Sequence, residues 1–144
     1  MWSSLSGPTN YYLLYCESLT PEDWKKPVGD TWTVKDVIAH VVGWEKEAYH
    51  ELLKTWKSKK KTWFLKTDDY GDFNKRSVEE YKNFSPKQLL QEWKKWQGKL
   101  DEAIQIVGED NMRKEPDLFS WVFDEGEDSH YKHHFEQIKR ILGK

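Results

Sequence analysis

Three histidines in this chain have the type and spacing to hold a metal ion: His40, and the pair His130 and His134 near the C-terminus. In an α-helix a separation of four residues puts two side chains on one face, about one turn apart. Two imidazoles so placed can grip one divalent ion. A third imidazole from another helix leaves coordination positions open, as a catalytic metal requires and a structural zinc site does not. Spacing alone fits surface or capping histidines equally well, so the elements that carry these residues decide the reading.

The segment from Thr33 to about Trp56 is the clearest helix. Thr33 is a good N-cap, Asp36 places an acid in the first turn, and Val34, Ile38, Val41, Ala48, Leu52 and Trp56 recur at helical spacing. A second long helix starts at Ser85, with Pro86 in its first position, and carries Leu89, Trp93, Trp96, Leu100, Ile104 and Val107 until Gly108 stops it. A third runs from about Asp128 or Ser129 to Leu142, with Tyr131, Phe135, Ile138 and Leu142 on its apolar face. Pro8 and Thr9 open a weaker helix through about Ser18, and Thr20-Pro21-Glu22-Asp23-Trp24 starts a further short turn. Between the long helices one short helix is expected to open at Ser77, and Gly108 to Phe123 reads as a connection of mixed structure. No alternating run reads as a strand. Four amphipathic helices of bundle length predict an all-α four-helix bundle with short extra helices in the connections, as a single domain over residues 1–144.

On the last helix, at about 100° per residue, His134 lies about 50° from the centre of the apolar stripe, His130 about 90° and His133 about 150°. His134 and His130 thus fall on the inward flank and His133 outward, although the adjacency of His133 and His134 leaves the pairing open to a shift of one residue. His40 lies at the edge of its helix's apolar arc, beside Val37 and Trp44, a position suited to an inter-helix groove or to the surface. Asp36, one turn earlier, is placed to accept the second N–H of His40, as outer carboxylates do at metal sites. His50 falls on a polar face and is assigned no role. The acidic cluster Asp124, Glu125, Glu127 and Asp128 lacks the alternation of a calcium loop and instead puts negative charge at the start of the last helix.

Composition narrows the function classes. Only 37% of the 144 residues are hydrophobic, but nine are tryptophan, so the core is built from a few large side chains. The formal net charge of −2 gives no case for nucleic-acid binding. The run Lys57, Lys59, Lys60 and Lys61 reads as a solvated helix end. A single cysteine, Cys16, excludes an internal disulfide and a cysteine-built zinc site, and beside Leu13 and Leu14 it reads as a small buried hydrophobe. With no signal-peptide pattern and no run near ~20 apolar residues, a cytoplasmic protein with no membrane contact is expected.

The stretch Trp32-Thr33-Val34-Lys35-Asp36-Val37-Ile38-Ala39-His40 resembles the W-S/T-x-x-D-x-x-x-H signature of the DinB/YfiT-like superfamily, and Leu19 to Trp24 matches the turn that precedes it. His130-Tyr131-Lys132-His133-His134-Phe135-Glu136-Gln137 resembles the superfamily's H-x-x-x-H helix. Asp72-Phe73-Asn74, followed by Ser85-Pro86 and Trp93, is similar to the ClbS/DfsB branch, which resembles genotoxin-resistance hydrolases. The resemblance spans Leu19 to Leu142. It implies an up-down-down-up bundle with a divalent metal, zinc or nickel, held by His40, His130 and His134. It also implies a thiol-dependent transferase or a hydrolase acting on a small organic substrate, with a low-molecular-weight thiol as a further cofactor and a possible homodimer. Trp44, Asn74 and Tyr131 are the pocket candidates that the motif neighbourhood supplies. Two other readings keep the fold without that chemistry: a metal-free protein that binds a hydrophobic ligand against its aromatic side chains, and a structural bundle in which the histidines are incidental.

Overall fold

The computed structural model describes residues 8–123 and 130–144, with backbone alone for residues 8–10, 130 and 131. Eight α-helices are described: α1 (Pro8–Glu17), α2 (Pro21–Trp24), α3 (Val34–Ser58), α4 (Gly71–Glu80), α5 (Pro86–Val107), α6 (Glu109–Arg113), α7 (Pro116–Phe119) and α8 (His130–Leu142). They form an all-α bundle. A two-residue ribbon, β1 (Pro27–Val28) against β2 (Trp32–Thr33), is antiparallel and is the one sheet among the described residues. It is too short for an alternating pattern, and Gly29, at φ 74°, makes the turn.

The starts of α2, α3 and α5 are written into the chain. Each has a reciprocal capping box: Thr20 with Asp23, Thr33 with Asp36, Ser85 with Gln88. In each box the N-cap side chain takes a backbone N–H of the first turn and the third residue reaches back, satisfying two donors that a helix start leaves orphaned. Pro86 is preorganised for the first helical position, and Gly108, at φ 90°, ends α5. The described bounds of α3 and α5 therefore fall within two residues of those expected. Helix α4 differs. It begins at Gly71, six residues before Ser77, which is a buried interior residue instead of a cap. Tyr70, at its N-cap, makes no side-chain capping bond; Asp69, one residue earlier, accepts the first helical N–H, of Gly71, at 3.1 Å instead.

Lys35, at the start of α3, donates to the Lys82 carbonyl just before α5, and Lys99 of α5 lies over the Tyr49 ring half-way along α3. Helices α3 and α5 therefore run parallel, with α4 in the crossover between them. Lys144, at the chain's end, pairs with Asp23 at 2.6 Å, near the beginning of α3, so α8 runs antiparallel to α3. Tyr12 stacks on Phe135 at 4.4 Å and Tyr15 lies 5.5 Å from the Lys139 ammonium, which sets α1 along α8. The connection is up-down-down-up.

The core forms two clusters. One joins α1, α2, the first half of α3, α5 and α8, and has the ring series Tyr12, Phe135 and Trp93 at its centre. The other joins the second half of α3 and α5 to the Trp63–Phe73 connection, α6 and α7. His40 and Trp44, one turn apart, straddle the junction. Cys16 is 1% exposed, and burial pushes its thiol pKa far up, consistent with a small core hydrophobe. Lys59, in the left-handed conformation at φ 58°, closes α3; Lys57, Lys60 and Lys61 are exposed. No helix among the described residues is long and apolar enough to cross a membrane.

Candidate metal centre

His40 is delivered by the second turn of α3, whose register Thr33 and Asp36 fix through their capping box. The Asp36 Oδ2 accepts the Thr33 backbone N–H at 3.0 Å, and the Thr33 hydroxyl accepts the Asp36 N–H at 3.3 Å. That box is where the structure places the carboxylate expected beside His40. His134 is delivered by α8, which is held by its neighbour Phe135, 0% exposed between the Tyr12 and Trp93 rings.

The two imidazoles, 94 residues apart in sequence, meet with Nε2 to Nε2 at 3.1 Å and ring planes at 82°. His40 is 4% exposed, and its ring is also 5.2 Å from that of Trp32 on β2. Asn74 of α4 completes the wall on the other side. Its Oδ1 accepts the Trp44 indole N–H at 2.9 Å, and the same side chain lies close enough to His40 to influence its protonation. Trp44 in turn packs on Phe73, 4.3 Å between centroids, and on Trp63, 5.8 Å.

Burial, followed by the neighbouring His134, pushes the pKa of His40 down to about 3, against a smaller upward pull from Asn74. Burial, followed by the charge of His133, takes His134 down to about 4. Both rings are therefore neutral at pH 7, with a lone pair available on one nitrogen of each. The 3.1 Å separation fits a shared ion. Two imidazole nitrogens each about 2.05 Å from one ion stand about 2.9 Å apart at a right angle and about 3.3–3.4 Å apart at a tetrahedral one.

His130 lies one turn before His134 on α8, but its side chain and that of Tyr131 lie outside the described residues, as does the acidic cluster from Asp124 to Asp128. Among the described residues no group of three His, Cys, Asp or Glu is placed to hold an ion, so the described part of the expected set is the His40–His134 pair. His133 and His50 are exposed. Two features had weaker sequence signals. Trp32 was legible as a motif residue but not as a wall of the site. Glu45, 0% exposed beside Trp44, breaks the expectation that a helical carboxylate is solvated.

Comparison with protein families finds that the model for the mycothiol maleylpyruvate isomerase N-terminal domain matches residues 12–118. The match contains His40, Trp44 and Asn74 and stops before α8. Comparison with curated proteins gives no match, and comparison with solved structures gives none either. The chain belongs to the mycothiol maleylpyruvate isomerase N-terminal domain family, within the DinB-like superfamily.

Proposed function

We propose that this DinB-like chain is a metal-dependent enzyme in which His40, His130 and His134 hold one divalent ion, zinc or nickel. The observation that carries the reading is the approach of the His40 and His134 Nε2 atoms to 3.1 Å, with His40 buried and His134 half-buried. An ion held there would lower the pKa of a water or thiol that it binds and so supply a nucleophile near neutrality. The chain's own residues do the rest. Burial keeps both described imidazoles neutral, and hence able to donate a lone pair, throughout the physiological range. Trp32 packs beside His40 and limits water on that side. Asn74, fixed by the Trp44 indole, lies beside His40 and pulls its pKa slightly up. The substrate is a small organic molecule, taken up by hydrolysis or by transfer to a thiol. The family takes its name from a mycothiol maleylpyruvate isomerase, which makes a low-molecular-weight thiol the first co-substrate to try. Similarity to the ClbS/DfsB branch makes hydrolysis of a reactive xenobiotic the other reaction to screen.

A metal-free reading has one observation in its favour. Trp63, Tyr70 and Phe73 are only half-buried, and all three pack on Trp44. An aromatic surface of this kind can bind a hydrophobic ligand without turnover. Elemental analysis separates the two readings. Untagged protein, purified without chelator, is compared with the His130→Ala/His134→Ala variant. Near-stoichiometric zinc or nickel in the parent and its loss from the variant are expected. A parent that holds no metal even after soaking removes the enzyme reading and leaves ligand binding.

A further inference from the structure

A groove between α3 and α4, of about 240 Å³, lies outside the histidine pair. Asn74 of α4 turns to Trp44, whereas Phe73, Arg76 and Ser77 of the same helix line the groove. Its closest wall is the contact of Gly43 with Ser77. A Cβ added at Gly43 would collide with the Ser77 side chain, so the two helices touch there and diverge beyond it. The volume is below the ~300 Å³ at which pockets for drug-sized ligands begin, so the occupant must be smaller.

Charge on the walls is balanced but not internally satisfied. Lys46 and Glu80 are already paired, at 2.7 Å. The half-buried Glu47 carboxylate makes no hydrogen bond or ion pair among the described residues. Burial, followed by the Glu51 charge, raises its pKa, and Arg76 is the largest opposing influence, with no ion pair between the two. His50, exposed at the rim, has its pKa lowered by partial burial and then by Lys46, so it offers a neutral ring N–H. The groove thus presents one acceptor of positive charge, one guanidinium, one ring donor and the Phe73 face.

We propose that this groove is a second ligand site, for a small zwitterion of amino-acid size. The ammonium is placed against Glu47, the carboxylate against Arg76 and His50, and an apolar side chain on Phe73. A single-charge ligand would leave one of the two unlike groups without a partner, and so gains less from the same volume.

The test uses the full chain in chelator, so that it is independent of the histidine pair. L-phenylalanine, 2-phenylethylamine and 3-phenylpropanoate are titrated while amide chemical shifts are followed. L-phenylalanine is expected to bind at least about tenfold more tightly than either analogue, a difference of about 1.4 kcal/mol. The shifts should centre on Gly43, His50, Phe73 and Ser77, and Glu47→Gln and Arg76→Gln should each weaken binding about tenfold or more. Analogues that bind as well as the amino acid, variants that bind as the parent does, or no shift by about 10 mM ligand would each overturn the site. The three-ligand comparison needs only the parent protein, so a poorly folded variant does not blunt it. Metal content, measured separately, reports on the histidine pair alone.

Discussion

Lowering the pH should destabilise this protein through two histidines before its surface carboxylates titrate. In the unfolded chain His40 and His134 take up protons near pH 6.5; in the fold they resist until about pH 3 and about pH 4. Below 6.5 the unfolded state therefore binds more protons than the native one, and stability falls as the pH falls. The loss starts near pH 6.5 and levels off only as the folded pKa values are reached. From pH 8 to pH 5 each histidine passes about one and a half units below its unfolded pKa without titrating in the fold. Each therefore withdraws about 2 kcal/mol and the pair about 4 kcal/mol. Against a typical domain stability of roughly 5–15 kcal/mol, that is enough to shift a denaturation midpoint severely. The assay is urea denaturation, in chelator, at pH 8 and pH 5, of the parent and of His40→Gln/His134→Gln. Other groups, Asp23 and Glu47 among them, contribute equally to both proteins and cancel in the difference. The parent should lose about 4 kcal/mol more than the variant over that interval. Equal losses would mean that the two rings are solvated and would refute their burial as a neutral pair.

Two packing predictions follow from contacts around α4. Gly43→Ala drives a methyl into the buried Ser77 side chain, so it should lower stability by about 1–3 kcal/mol in thermal melts, as overpacking does, and adding Ser77→Gly should recover part of the loss. Full stability in the single variant would show that α3 and α4 are not in contact there. Trp44→Phe removes the 2.9 Å indole donor to Asn74 as well as some packing, and its cost should be about 1 kcal/mol smaller in an Asn74→Ala background than in the parent, since both share the packing loss and only the parent has the bond. Identical costs in the two backgrounds would dissociate Asn74 from Trp44.

Where local chemistry settles an element, it was legible in the chain. Ser85, Pro86 and Gly108 fix both ends of α5, and Thr33 fixes the start of α3, because caps satisfy specific orphan groups whatever the rest of the fold does. The early start of α4 was less legible, since neither Tyr70 nor Gly71 signals a helix and Asp69 caps it from one residue before them. Tertiary contact supplies what is missing there: Phe73 against Trp44, and Ser77 against Gly43. The β1–β2 ribbon was hidden for another reason, since two residues per strand carry no period. At the site, helical periodicity placed His134 inward and His133 outward, as described. It left His40 on the edge of an apolar arc, and only the arrival of α8 turns that edge into an interior. No spacing rule could supply the 3.1 Å meeting of two nitrogens 94 residues apart, because it depends on the direction in which α8 returns along α3.

The cost of the histidine pair bears on why it is there. As a neutral pair the two rings can exchange one N–H···N hydrogen bond, set against the hydration that both rings lose. Apolar side chains of similar shape in the same space, between the Trp32 ring and the core around Phe135, would be neutral or stabilising, since replacing both partners of a buried hydrogen bond removes its desolvation cost with it. A fold that already buries Trp93, Phe135 and Ile138 completely has no need of two imidazoles to close its core. A polar arrangement that a core tolerates at a loss, and that costs more with each step toward acid pH, is the kind that folds keep at functional sites. The histidines sit at the junction of the two clusters, where α3 passes from one to the other and where Asn74 of α4, bonded to Trp44 of α3, lies beside His40.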